Sequence, residues 1–149
     1  MMTQPTEPRR DEATEPLNVE VWHEGDIVHM RAQGTTTLAD VKHMFTVCQR
    51  VCDEYGYALV CVDNRNAGKS TQEARKYQTD MLRKRIFPSH SAVHGGNMIS
   101  RAAVILVMRA VELVTGTKVP FDLVDDEASA RRILDEARER FRAQGIAKK

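Results

Sequence analysis

The sequence predicts a single α/β domain: a mixed, mostly parallel sheet with an N-terminal β-hairpin and four helices. Two segments of alternating polarity open the folded part, and helical periodicity then alternates with short apolar runs in the order β-β-α-β-α-β-α-β-α. Alternating strands and helices favour parallel strands covered by helices, with right-handed crossover connections. The length of 149 residues fits one such domain.

The opening hairpin is predicted from residues 18–23 and 27–32, in which apolar and polar residues alternate on either side of a turn that contains glycine. Pairing of the two segments could bring His23 and His29 to face each other. Gly34 then breaks the run of strand-forming residues.

A first helix and a central strand follow the hairpin. Apolar residues recur at helical spacing over residues 38–55, Thr36 or Thr37 can cap the start of this helix, and Gly56 ends it. The next segment, 58–63, is a continuous apolar run. Such a run is typical of a strand that is covered on both faces.

The pattern then repeats. A polar loop over residues 64–69 leads to a second helix from about residue 70 to residue 85, which ends before Pro88. Residues 91–94 predict a short strand, and residues 119–124 predict the last one. Asp125 or Asp126 can cap a final helix, whose inward positions are Ala130, Ile133, Leu134, Ala137 and Phe141.

The segment 98–114 predicts a third helix that is apolar almost all round and that Gly116 ends. Arg101, Arg109 and Glu112 lie along one stripe, which we interpret as a narrow solvent-facing side. A helix this apolar is normally buried by more than one neighbour, so we expect it to build the core. In a domain of this size that neighbour could be another subunit, which makes a homodimer an expectation.

Composition and charge limit the classes of function. We expect a disordered tail over residues 1–17, one domain over 18–142, and a frayed end over 143–149. The chain carries 22 basic and 21 acidic residues, so its charge gives no general reason to bind nucleic acid. Neither an apolar stretch long enough for a membrane span nor a signal core is evident, so we expect a cytoplasmic protein.

The residues that could carry chemistry do not assemble into a recognisable catalytic motif. Cys48, Cys52 and Cys61 read as small buried hydrophobes of a reducing compartment, since a structural zinc site needs more ligands. His90 and His94 flank a strand without a nearby acid in sequence, and neither HExxH nor GxSxG occurs. We therefore expect no enzyme, no metal and no cofactor.

The order and spacing of these elements resemble the STAS fold of anti-sigma-factor antagonists, in particular its SpoIIAA-like branch, over residues 18–142. The resemblance rests on the opening hairpin, on the strand ALVCVD that runs into a polar segment, and on the closing segment PFDLVDDEASARRIL. It implies a regulatory domain that binds a protein partner. It also implies a phosphoacceptor after the central strand, where this chain has DNRNAGKST, with Ser70 and Thr71, instead of the usual D-S-S-G.

Residues 67–71, AGKST, also resemble part of a phosphate-binding loop. The motif requires a glycine where this chain has Asp63, and that carboxylate would oppose a phosphate. Three interpretations stay open: a helix cap with a loop, an anion contact at Lys69, Ser70 and Thr71, and, least favoured, nucleotide hydrolysis.

The second helix is locally basic, because six basic residues from Lys69 onward oppose only Glu73 and Asp80. Clustered charge can steer an acidic partner, although a solvated helix face is the plainer interpretation. The predicted partner surface comprises Asp63, Arg65, Arg75, Lys76, Arg83, Lys84 and Arg85.

The sequence thus predicts a non-catalytic regulatory module that binds another protein and that phosphorylation could switch. It does not identify the partner. The alternative is a carrier or sensor domain that binds a small apolar ligand or lipid between the sheet and the helix over residues 98–114.

Overall fold

The computed structural model describes residues 17–84 and 87–148, and within them it confirms the predicted α/β class and the order of elements. Five strands form one sheet in the order β1-β2-β3-β4-β5, with β1 antiparallel to β2 and the other pairs parallel. The strands are β1 Val19–Glu24, β2 Ile27–Thr36, β3 Ala58–Ser70, β4 Ser89–His94 and β5 Phe121–Val124; the helices are α1 Leu38–Tyr55, α2 Gln72–Lys84, α3 Met98–Thr115 and α4 Glu127–Ala143.

Two helices cover opposite faces of the sheet, and each builds its own core. On one face, α1 packs over β1, β2 and β3, where Val28, Val51 and Val60 are buried together. On the other, α4 packs over β3, β4 and β5, where Leu59 and Leu134 are fully buried. This arrangement explains the apolar run over residues 58–62 of β3, because a strand that is covered on both faces needs apolar side chains on both.

The buried carboxylate of Asp40 joins the start of α1 to the start of β1. One of its oxygens accepts hydrogen bonds from the backbone N–H groups of Asn18 and Val19, at 2.7 and 3.1 Å. The other accepts from the backbone N–H and the hydroxyl of Thr37, at 2.8 and 2.9 Å. Thr37 in turn caps α1, and Gly56 ends the helix in the left-handed conformation.

A second buried carboxylate, that of Asp26 in the hairpin turn, holds α4 in place. Arg138 donates two hydrogen bonds to it, at 2.7 and 2.8 Å, and the hydroxyl of Tyr57 donates a third. Burial alone would raise the pKa of Asp26, but these donors outweigh it and lower the pKa. Burial, together with the hydrogen bond to Asp26, raises the pKa of Tyr57 to about 12.

The segment 64–69, predicted as a loop, is instead the second half of β3. The strand pairs with an extension of β2 that runs beyond Gly34 to Thr36, so Gly34 does not end β2. Two register shifts interrupt this pairing. The extensions approach closely because both contribute glycine: a Cβ on Gly68 would lie 3.0 Å from the Gly34 carbonyl carbon.

The orientation of α3 is the largest departure from the sequence prediction. Val111 is its only fully buried residue, and most of its large apolar side chains are exposed. Two of the three residues of the charged stripe face the domain instead: Arg101 donates to the Val124 carbonyl at 2.9 Å, and Glu112 accepts from the Val119 N–H at 3.0 Å. Arg109 is exposed. The helix packs against α2 and makes only sparse contacts with the sheet, so it does not build the core.

The chain after α4 turns back onto the end of α1. Ile146 and Ala147 pack against the core under α4, and the backbone N–H of Lys148 donates to the Tyr55 carbonyl at 2.8 Å. These residues belong to the segment predicted as a frayed end. The predicted N-terminal tail, apart from Leu17, lies outside the described residues.

Replacing Asp40 by alanine is expected to lower the free energy of unfolding by about 3 kcal/mol, because four donors near a buried site lose their acceptor. Urea titration followed by circular dichroism measures the change. The control is Asp53→Ala, which removes an exposed carboxylate from the same helix and is expected to cost less than about 0.5 kcal/mol. Equal losses in the two variants would contradict the structural role of Asp40.

The Tyr57 hydroxyl is expected to make stability sensitive to alkaline pH. Because its pKa is raised from 10 to about 12 in the folded state, the stabilisation is complete below the unfolded value and is lost as the pH rises toward the folded one. The wild-type chain should therefore lose more free energy of unfolding than Tyr57→Phe between about pH 8 and about pH 11. Tyr77→Phe, on α2, is the matched control, and it should follow the wild-type profile.

Candidate functional site

Three polar side chains lie in a row across the parallel strands, at the level where β4 ends and β2 and β3 continue. Arg31 on β2 is in register with Asp63 on β3, which is in register with His94 on β4. Carboxyl ends of parallel strands are where ligands commonly bind in open α/β sheets. The sequence analysis singled out Asp63 and His94 separately and did not identify Arg31, and only the strand register brings the three together.

Asp63 is held in one position by Arg65. The Arg65 guanidinium donates from two nitrogens to both carboxylate oxygens, with the shortest contact at 2.7 Å, and its backbone N–H donates at 3.0 Å. These bonds lower the pKa of Asp63 to about 2. Gly95 makes room for the arginine, since a Cβ there would lie 2.5 Å from Arg65 Cγ. The pair is therefore a fixed, neutralised unit and not a proton-transfer group.

A cavity of about 150 Å³ lies beside this row, between the hairpin and the start of α4. Its walls include Trp22, His29, Arg31, Cys61, Asp63 and Arg131. The rings of Trp22 and His29 stack with their centroids 5.1 Å apart, so Trp22 and not His23 faces His29. The earlier expectation of a His23–His29 pair is wrong by one residue of register.

Charges around the cavity pair with one another. Glu24 accepts from His29 Nε2 at 2.9 Å and from Arg131 at 3.1 Å, and Arg131 also binds Glu127. The hydrogen bond from Arg131 lowers the pKa of Glu24. Burial raises the pKa of the Cys61 thiol to about 11, which keeps it protonated and unreactive near neutral pH. The cavity is thus bordered by paired charges, and the one cysteine in its wall is not a poised nucleophile.

The predicted phosphoacceptors lie at the junction of β3 and α2. Thr71 accepts a hydrogen bond from the backbone N–H of Ala74 at 3.1 Å and so caps α2, which begins at Gln72. The carbonyl of Ser70 accepts from the side chain of Arg75. Lys69 is exposed on β3. Because residues 63–70 are strand, their backbone does not form the wrapped loop that a phosphate-binding motif requires.

The predicted basic surface is present on α2. Four of its cationic side chains are exposed: Arg75, Lys76, Arg83 and Lys84. Lys76 pairs with Asp80 at 3.2 Å, whereas Arg83 and Lys84 have no ion-pair partner among residues 17–84 and 87–148. Arg85, the last member of the predicted surface, lies outside the described residues.

The fold supplies His90 with an acid that is distant in sequence. Its Nε2 lies 2.7 Å from a carboxylate oxygen of Asp122, and its Nδ1 lies 3.2 Å from a guanidinium nitrogen of Arg140. Since Arg140 can only donate, Nδ1 accepts, and the Nε2 proton points to Asp122. This arrangement fixes the ring and leaves neither nitrogen for a metal.

Within residues 17–84 and 87–148, no group of three or more histidine, cysteine or acidic side chains could hold a metal ion. Nor does any helix in those ranges combine the length and the apolar character that crossing a bilayer requires.

The fold is similar to that of an uncharacterized protein of the DUF3478 family with a SpoIIAA-like fold, from Shewanella loihica PV-4. The two chains superpose with a TM-score of 0.52 at 15% sequence identity, over 78% of this chain and 91% of the other. No protein-family model matches the sequence, and no curated protein matches it. At this identity the likeness concerns architecture alone, and this chain has a SpoIIAA-like fold.

Proposed function

We propose that this domain is a non-catalytic regulatory module that binds an acidic protein partner through the outward face of α2 and the adjoining end of β3. The observation that carries the proposal is the exposure of Arg75, Arg83 and Lys84 on one helix. The chain as a whole is nearly neutral, with 22 basic and 21 acidic residues, so this cluster is a local feature. Local charge of this kind speeds and orients encounter with an acidic surface.

The ionisable groups in the cavity wall favour a binding function over a catalytic one. Asp63 is neutralised by Arg65, Glu24 by Arg131, and the Cys61 thiol is protonated. Catalysis by acid, base or nucleophile needs a group with a pKa poised for its task and free to reach a substrate. The two carboxylates are instead engaged in ion pairs and the thiol is protonated, so none of the three is poised for catalysis.

The proposal includes a phosphorylation switch at Ser70 or Thr71. A phosphate adds close to two negative charges and three acceptor oxygens. At the start of α2 it would lie next to Lys69 and Arg75, since Arg75 already donates to the Ser70 carbonyl. Pairing with the phosphate would withdraw these cations from the partner surface and weaken the complex.

Reversing the charge at Arg83 and Lys84, both to Glu, is expected to weaken partner capture by at least about tenfold without unfolding the domain. Proteins that the wild-type chain retains from a cell extract are identified by mass spectrometry, and the affinity of the purified partner is then measured by calorimetry. Arg132→Glu with Arg142→Glu, two exposed positions on α4, is the matched control. Equal affinity of the α2 variant and the control would contradict the proposed surface.

The same titration tests the switch. Ser70→Asp is expected to lower the affinity in the same direction as charge reversal on α2, whereas Ser70→Ala is expected to bind as the wild-type chain does. An affinity that both Ser70→Asp and Thr71→Asp leave unchanged would remove the switch without contradicting the α2 surface.

A carrier or sensor of a small apolar ligand or lipid is the second candidate. One observation favours it. The helix α3 makes only sparse contacts with the sheet, so Val104, Val107 and Met108 on its inner side are only partly buried. An apolar molecule between the helix and the sheet would cover these side chains.

Native mass spectrometry of gently purified protein distinguishes the two candidates. A ligand carrier is expected to show added mass, which Val107→Asp on the inner side of α3 removes and Ala110→Asp on its exposed side leaves in place. A clean mass of the bare chain in every preparation would reject the carrier function.

A further inference from the structure

The outer face of α3 exposes an unusual amount of apolar surface for one helix. Ile99 and Leu113 are 81 and 86% exposed, and Leu106 between them is 69% exposed. Single exposed apolar residues are ordinary, but a continuous row of them marks a contact surface.

Polar contacts on the opposite side fix this orientation. Arg101 donates to the Val124 carbonyl and lies 3.9 Å from the Asp125 carboxylate, while Glu112 accepts from the Val119 N–H. A rotation that buried the apolar row would break the contacts near both ends of the helix and expose their partners. The row therefore stays accessible in the folded domain.

The spacing of the exposed residues is that of a helix-packing seam. Ile99, Leu106 and Leu113 recur every seven residues, and Ala103 and Ala110 alternate with them in steps of four and three. Such a heptad pattern keeps one line of side chains facing a partner helix, and small residues in the line allow the two backbones to approach. The seam extends for about 21 Å along the helix.

The apolar area matches one side of an ordinary protein interface. Fully burying an aliphatic side chain removes about 60–120 Å² from water. Weighted by their exposure, the large apolar residues of this face provide on the order of 300 Å², and they are Ile99, Leu106, Leu113 and Val114. The exposed Ala103 and Ala110 add to this area. A standard interface buries about 800 Å² per partner, a little over half of it apolar.

Charge selects the direction of packing between two copies of this helix. Arg109 is exposed beside the seam. In a parallel pair the two copies of Arg109 would lie side by side and repel, whereas an antiparallel pair centred on Leu106 places each one near Ala103 of the other copy. Antiparallel packing also aligns the helix dipoles favourably.

We propose that α3 is a self-association surface, on which a second copy of this chain packs antiparallel about a two-fold axis at Leu106. A closed two-fold interface uses the same patch on both copies, and a single self-complementary seam satisfies that requirement. The proposal goes beyond the acidic-partner function and does not depend on it, since α2 presents its charges on a different helix.

Sedimentation velocity over a concentration series tests the proposal. The wild-type chain is expected to form a species of twice its 16.9 kDa mass, and Leu106→Glu is expected to weaken dimerisation by at least about a hundredfold because two charges meet at the axis. Ala128→Glu, an exposed position on α4, is the control and should dimerise like the wild-type chain. Thermal melting checks that each variant is folded.

Disulfide formation tests the direction of the pair. The natural cysteines Cys48, Cys52 and Cys61 are buried. Any disulfide between two chains is therefore expected to form through the introduced surface thiol. Leu106→Cys is expected to form a covalent dimer on mild oxidation. Arg109→Cys is expected to form far less, since antiparallel packing separates the two thiols by about 9 Å along the axis.

Three results would overturn the proposal. One is a wild-type chain that remains monomeric at high micromolar concentration. Another is a dimer that Leu106→Glu leaves intact. The third is a monomer that sediments with phospholipid vesicles through this face, which would assign the face to a membrane surface. A wild-type chain that stays monomeric and still binds an acidic partner would reject this inference alone.

Discussion

Two buried carboxylates hold the layers of this domain together, and the Asp40 carboxylate is the one on which the rest depends. It accepts four hydrogen bonds, two from the first residues of β1 and two from Thr37 at the start of α1. The edge strand and the helix that covers it are thereby fixed to each other at one point. Asp26 performs the equivalent task on the other face by binding Arg138 of α4. Both helices are consequently held over β3, whose two faces become the two cores.

The parts of the fold that depend on neighbouring residues could be predicted from the sequence. The caps Thr37 and Gly56 act on the helix they adjoin, and the apolar run of β3 reflects its burial on both sides. Strand register could not be predicted, because it depends on how two distant segments align. A shift of one residue is enough to replace His23 by Trp22 opposite His29. The continuation of β3 through a polar segment likewise needs β2 beside it.

The same distinction between local and long-range features applies to the candidate site. The basic residues of α2 are predicted by composition, since they follow one another on one helix. The row formed by Arg31, Asp63 and His94 spans three strands, and the acid that binds His90 is Asp122, 32 residues away. For α3 the sequence defines a charged stripe but not the direction in which it points. Contacts with the segment around β5 decide that direction, and they turn Arg101 and Glu112 inward while Arg109 stays exposed.

The basic surface of α2 and the apolar seam of α3 lie on neighbouring helices, because α2 packs against α3. Pairing of two chains through the apolar seam would bring two basic α2 faces into one assembly. A partner with two acidic segments could then engage both at once, and the second contact would form at high effective concentration. Weak single contacts, which are expected of exposed charges that water and salt screen, would thereby yield a stable complex. A phosphate near Arg75 would weaken both contacts together, so the response of such a dimer would be steeper than that of one chain.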